Sequence, residues 1–162
     1  MSIGSADLHS GILTAWDTAD LDSQHTQYWS AADIARYSPK YESGSVVPGT
    51  PFPRTVYEEG ISSVIIRTSS GSGRTMREIP WIFRTYAENT ATLSSKKVAT
   101  DIAAAIMGVY GGHPTVTPAQ ICLDVGGVVR TQYQFDRITA VDEDIHMVTV
   151  MYMILIDTPA VY

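Results

Sequence analysis

An α+β fold is predicted for this 162-residue chain by three observations. Apolar residues recur at helical spacing in an N-terminal stretch and in one central segment, whereas alternation marks most of the remainder. Hydrophobic residues make up 44% of the sequence, enough for a packed core in a single domain spanning 1–162. The texture divides the chain into an N-terminal helical segment (1–37), a Gly/Pro-rich loop (38–53), and a sheet plus central helix (54–162).

The elements follow in order. Ser5 is a good N-cap, and Leu8, Ile12 and Trp16 follow at four-residue spacing, giving one apolar stripe on a helix of about three turns. A second short helix starts from a Ser30 cap, with Ala31, Ala32, Ile34 and Ala35 behind it. Trp16, Tyr28 and Trp29 read as packing residues. From Ser38 to Pro53 the prolines at 39, 48, 51 and 53 and the glycines at 44 and 49 predict an extended loop.

Arg54 to Glu59 and Ser62 to Thr68 read as short strands. Ser69-Ser70-Gly71-Ser72-Gly73 breaks the pattern and marks a flexible hairpin tip. Met76 to Tyr86 resumes it, with Ile79, Trp81, Phe83 and Thr85 on one side. The clearest helix runs from about Leu93 to Tyr110. Val98, Ile102, Ile106 and Val109 line its inner face, and Lys97 and Asp101 form an i,i+4 pair outside. Gly111-Gly112 followed by Pro114 is a stop signal. Ala119 to Asp124 and Val128 to Asp136 read as strands joined at Gly126-Gly127. In the second, Tyr133, Phe135 and Arg137 alternate with Gln132, Gln134 and Asp136. Ile145 to Ile156 is apolar on both faces and belongs in the centre of the sheet.

Charge and cysteine usage exclude several functions. The formal net charge is −6, and the basic residues are scattered, which disfavours a broad phosphate-binding face. Charged residues are only 17%, a sparse surface that partners could cover. The lone Cys122 cannot form an internal disulfide and reads as a small buried hydrophobe made in a reducing cytoplasm. The N-terminus lacks a basic region followed by an apolar one, and the apolar run near Val148 to Ile156 is too short to span a bilayer as a helix.

The sequence carries no phosphate loop, dinucleotide fingerprint, nucleophile elbow or HExxH pair. Gly71-Ser72-Gly73-Arg74 superficially resembles a phosphate cradle, but it sits in a hairpin tip and opens no helix. Asp142, Glu143, Asp144 and His146, with His113 from elsewhere, could in principle hold a divalent ion. The stronger reading is a solvated turn. No catalytic, cofactor-binding or metal-binding residue is therefore assigned.

The order of features is more informative than any motif. A short helix leads into the Gly/Pro-rich loop, which ends in "PFPRTVYEE". A strand, a flexible hairpin and the long strand "REIPWIFRTYAEN" follow, then the alanine-rich helix "KKVATDIAAAIMG" and strands ending in "DEDIHMVTVMYMILI". From Pro51 to Ile156 this order resembles the tail-terminator (tail-completion) proteins of long-tailed bacteriophages. The resemblance implies an α+β domain with helices on one face of a mostly antiparallel, twisted sheet. It implies a homomeric ring, commonly a hexamer, that caps the tail tube at the tail–neck junction of the virion. Partners would be the tail tube protein and a neck or head-completion protein, with DNA only passing through the lumen and no membrane contact. No catalytic residue or cofactor is implied. The family's mobile hairpin would match Ser69, Ser70, Gly71, Ser72, Gly73 and Arg74, which with Arg77 are the expected contacts to a neighbouring subunit or the tube. Alternatives are another neck or tail component (adaptor, stopper or tube subunit), or a small-ligand-binding domain or enzyme built on His146 and the acidic turn.

Overall fold

The structure, a computed structural model, describes residues 3–61, 63–67, 74–118 and 129–159. In chain order the elements are α1 (Ile3–Thr18), α2 (Leu21–Thr26), α3 (Ala31–Arg36), β1 (Lys40–Glu42), β2 (Arg54–Glu59), β3 (Ser63–Arg67), β4 (Arg74–Glu88), α4 (Ser95–Tyr110), β5 (Val129–Ala140) and β6 (Ile145–Pro159). The strands form a six-stranded sheet in the order β1-β2-β4-β6-β5, with β3 also paired to β4. Among the described strands β1–β2 pair in parallel and the other pairs are antiparallel.

The two long strands make the spine. Arg74 pairs with Pro159 and Glu88 with Ile145, so β4 and β6 run alongside each other for their full length. Alternation then sorts their side chains onto two faces. Ile79, Trp81, Phe83, Thr85 and Ala87 of β4, and Val148, Val150, Tyr152, Ile154 and Ile156 of β6, are buried on one face. Against them pack Leu8, Ile12 and Trp16 of α1 and Val98, Ile102, Ile106 and Tyr110 of α4. The fold is α+β with its helices on one face of a mostly antiparallel sheet.

Several polar groups in this layer are paired, as burial demands, although Trp81 Nε1 and His9 Nε2 have no hydrogen-bond partner among the described residues. Tyr110 Oη donates to the Ile12 carbonyl at 2.7 Å and fastens α4 to α1. Tyr152 Oη donates to the Gly111 carbonyl at 2.7 Å, just beyond α4. Gly112 has φ +97°, and a Cβ there would lie 2.5 Å from the Tyr133 ring, so glycine is required twice over. His25 of α2 is fully buried. Its Nδ1 lies 2.8 Å from the Leu21 carbonyl, which can only accept, so Nδ1 carries the proton. Nε2 then accepts from Thr55 Oγ1 at 2.7 Å, and Thr55 Oγ1 in turn accepts from Thr85 Oγ1 at 2.9 Å. A chain of hydrogen bonds thus ties α2 to β2 and β4.

Several expectations need correction. Ser5 is not an N-cap, because α1 already begins at Ile3. Helix α2 was not foreseen, and the 38–53 loop contains β1, which pairs with β2 from Lys40↔Thr55 to Glu42↔Tyr57. The central helix starts at Ser95, leaving Leu93 outside it. In β5 the register shifts between Tyr133 and Phe135, so Tyr133 opposes Tyr152 on the core side and Phe135 opposes Met151 on the other face. A bulge of this kind defeats simple alternation. The strand expected over 119–124, the turn at 126–127 and Cys122 lie outside the described residues.

Candidate functional site

Among the described residues, the helices that pack on the sheet cover one face only. The side chains on the other face can be read from the register. In one row Glu58, Ile82, Met151 and Phe135 lie side by side across β2, β4, β6 and β5. The next row holds Val56, Arg84, Thr149 and Arg137. Towards the other end come Pro80, Met153 and Gln132, then Glu78, Leu155 and Arg130. None of these residues belongs to the core cluster or packs against it. Among the described residues no helix lies on this face.

The centre of the face is apolar: Pro80, Ile82, Met151, Met153 and Leu155 are half-buried by their sheet neighbours, and Phe135 is exposed. Methionine is unbranched and polarizable, so a surface rich in it adapts to a partner's contours. Charged groups ring this centre. Arg84 Nη1 pairs with Glu58 Oε2 at 2.6 Å. Arg130 and Arg137 on β5 are exposed and have no ion pair among the described residues. A contiguous apolar surface rimmed by charge suits association with another macromolecule.

The residues singled out in the sequence are placed as follows. Ser69, Ser70, Gly71, Ser72 and Gly73 lie outside the described residues. Arg74 is the first residue of β4, opposite Pro159, so it belongs to a strand and not to a loop tip. Arg77 sits in β4 between Val64 and Ile156, with its Nε buried and no hydrogen-bond partner among the described residues.

The acidic turn does not converge on an ion site. Asp142 Oδ1 accepts from the backbone N–H groups of Asp144 (2.7 Å) and Ile145 (2.9 Å), a local turn-forming role. His113 bonds locally to Thr115. Among the described residues, no three His, Cys, Asp or Glu side chains come close enough to hold a metal ion.

One pairing was missed in the sequence. Ser95 Oγ lies 2.7 Å from His146 Nδ1, across 51 residues. A serine beside an imidazole at a helix start is the geometry of an activated nucleophile. Ser95 is fully buried, however, so its hydroxyl has no path to a substrate. Its backbone N–H donates to Asn89 Oδ1 at 2.7 Å, and the pair fastens the start of α4 to the start of β6.

On the helix side, Lys40 Nζ bridges Asp17 (2.9 Å) and Asp22 (3.2 Å), while Trp16 Nε1 donates to Asp22 at 2.7 Å. Burial disfavours the Lys40 charge, but the two carboxylates outweigh it and raise its pKa. This cluster joins α1, α2 and β1 and has a structural role.

No protein-family model matches the chain, and no curated protein matches it. Chains of solved structures do match. One belongs to the structure described as "Virion of native gene transfer agent (GTA) particle", with 15% sequence identity, a TM-score of 0.47, and coverage of 78% of this chain and 83% of that chain. A likeness this distant fixes neither family nor role.

Proposed function

We propose that this chain is a structural virion protein that forms a ring, commonly of six copies, capping a phage tail tube and joining it to the neck. The observation that carries the assembly role is the uncovered sheet face, apolar through Pro80, Ile82, Met151 and Met153 and rimmed by Arg84, Arg130 and Arg137. Water-facing monomers keep such patches small, so a face of this composition functions as a contact surface. The nature of the assembly comes from the order of features between Pro51 and Ile156, which resembles the tail terminators. A net charge of −6 suits a lumen through which DNA passes without being gripped.

The reading is tested in the particle itself. Antibody labelling should mark the head–tail junction of purified virions, and deleting the gene should give tails of unregulated length that do not join heads. Absence of the protein from purified virions, or its distribution along the whole tail, contradicts the proposal. The second outcome would favour a tube subunit.

A further inference from the structure

We infer that the two lateral edges of the sheet, β5 on one side and the α3–β1 segment on the other, form a head-to-tail contact between copies of this chain. This rests on the ring reading and assigns the surfaces that build it. The first observation is where the exposed large apolar residues lie. Phe135 (45%), Ile138 (42%) and Val141 (51%) lie along β5 and the turn after it, Phe135 on the open face and Ile138, opposite Val148, on the other, while Ile34 (48%) in α3 and Val47 (45%) in the loop after β1 flank β1 in the chain. In the strand order β1 is first and β5 last, so β1 and the exposed β5 residues lie at opposite edges of the sheet.

The second observation is helix α3. It has six residues and none of them is buried. Ala31, Ala32, Ile34 and Ala35 are all exposed. A helix this short is not stable from its own hydrogen bonds, and here only the Ser30 cap on the Asp33 N–H, at 3.2 Å, supports its start. A short apolar helix that buries nothing in the isolated chain fits one that packs against a neighbour.

The third is charge. Arg130 and Arg137 on β5, and Asp33 on α3 with Glu42 on β1, have no ion-pair partner among the described residues. Of the other charged groups at the two edges, Lys40 is held by Asp17 and Asp22, Arg36 lies over the Tyr37 ring at 5.3 Å, and Asp136 accepts from the Tyr133 hydroxyl, whereas Asp142, Glu143 and Asp144 after β5 are exposed without an ion pair among the described residues. Arg130 and Arg137 on the β5 edge thus complement Asp33 and Glu42 on the other, while Asp142, Glu143 and Asp144 lie in the turn beyond the end of β5. Because the patches differ and lie on opposite sides, their contact is heterologous. It propagates until rotation closes it into a ring.

A heterologous contact has a diagnostic complementation. The F135E/I138E variant blocks the β5 edge and the I34E/A35E variant blocks the α3 edge. All four positions are exposed, so both variants should fold, which circular dichroism would verify. Sedimentation should show that the wild-type chain self-associates at high concentration and that each variant alone is a monomer. An equimolar mixture of the two should give a dimer and nothing larger, since one good contact remains. As a gentler pair, R130E/R137E and D33K/E42K should each weaken association about tenfold or more, and mixing them should restore it.

A monomeric wild-type chain, a variant that assembles like wild type, or a mixture with no dimer overturns the inference. Wild-type rings that persist in both variants sink these edges and leave the ring reading standing. Open filaments abolished in both variants would keep the edges and sink the ring cap.

Discussion

His25 makes the fold sensitive to acid, and the size of the effect follows from its surroundings. Burial is the largest influence on its imidazole, lowering the pKa from 6.5 to about 4 against the opposing pull of the Leu21 carbonyl and Asp22. Between those two values the unfolded chain holds a proton that the folded chain refuses. Stability is therefore full above about pH 6.5 and falls as the pH drops towards 4. Proton linkage gives a loss of roughly 2 kcal/mol at pH 5, at about 1.36 kcal/mol per pKa unit. Urea unfolding of wild type and His25→Gln at pH 7.5 and pH 5 measures the difference, because titrations elsewhere cancel between the two chains. Wild type should lose roughly 2 kcal/mol more than the variant over this interval. Equal pH dependence in both, or an imidazole that titrates above pH 6 by NMR, would refute the buried neutral assignment.

Two further perturbations probe the layer between helices and sheet. Ile102→Ala should cost about 2–4 kcal/mol in chemical denaturation, because Ile102 is buried between α4 and the sheet; a loss under about 0.5 kcal/mol would show that α4 is docked differently. Gly112→Ala should destabilise by about 1–3 kcal/mol, since it combines a left-handed backbone with a clash against Tyr133, and an unchanged Tm would contradict that geometry.

Legibility in the sequence followed the length and regularity of each element. The spine was readable because Ile79, Trp81, Phe83 and Thr85 alternate without interruption, and α4 because Val98, Ile102, Ile106 and Val109 hold one face through about three turns. Helix α2 is six residues long with only Leu21 and His25 buried, too little for periodicity to register. Strand β1 is three residues within a proline-rich stretch, and its pairing with β2 is a tertiary fact that composition does not carry. The β5 bulge moved Phe135 off the face that alternation gave it.

The candidate surface was half legible. The apolar second face of β6, with Met147, Met151, Met153 and Leu155, was read as a sign of central burial, and β6 is indeed flanked by β4 and β5. What the pattern could not tell is that, among the described residues, helices cover only one side. Nor could it pair Ser95 with His146, which meet because Glu88↔Ile145 registry brings the start of β6 beneath the start of α4.

Single-particle imaging of the purified full-length chain at high concentration tests the central claim most directly. The account predicts closed rings of uniform copy number, commonly six, in which each copy presents its β5 edge to the α3–β1 edge of the next. A chain that remains strictly monomeric, or that grows into tubes without limit, would contradict it.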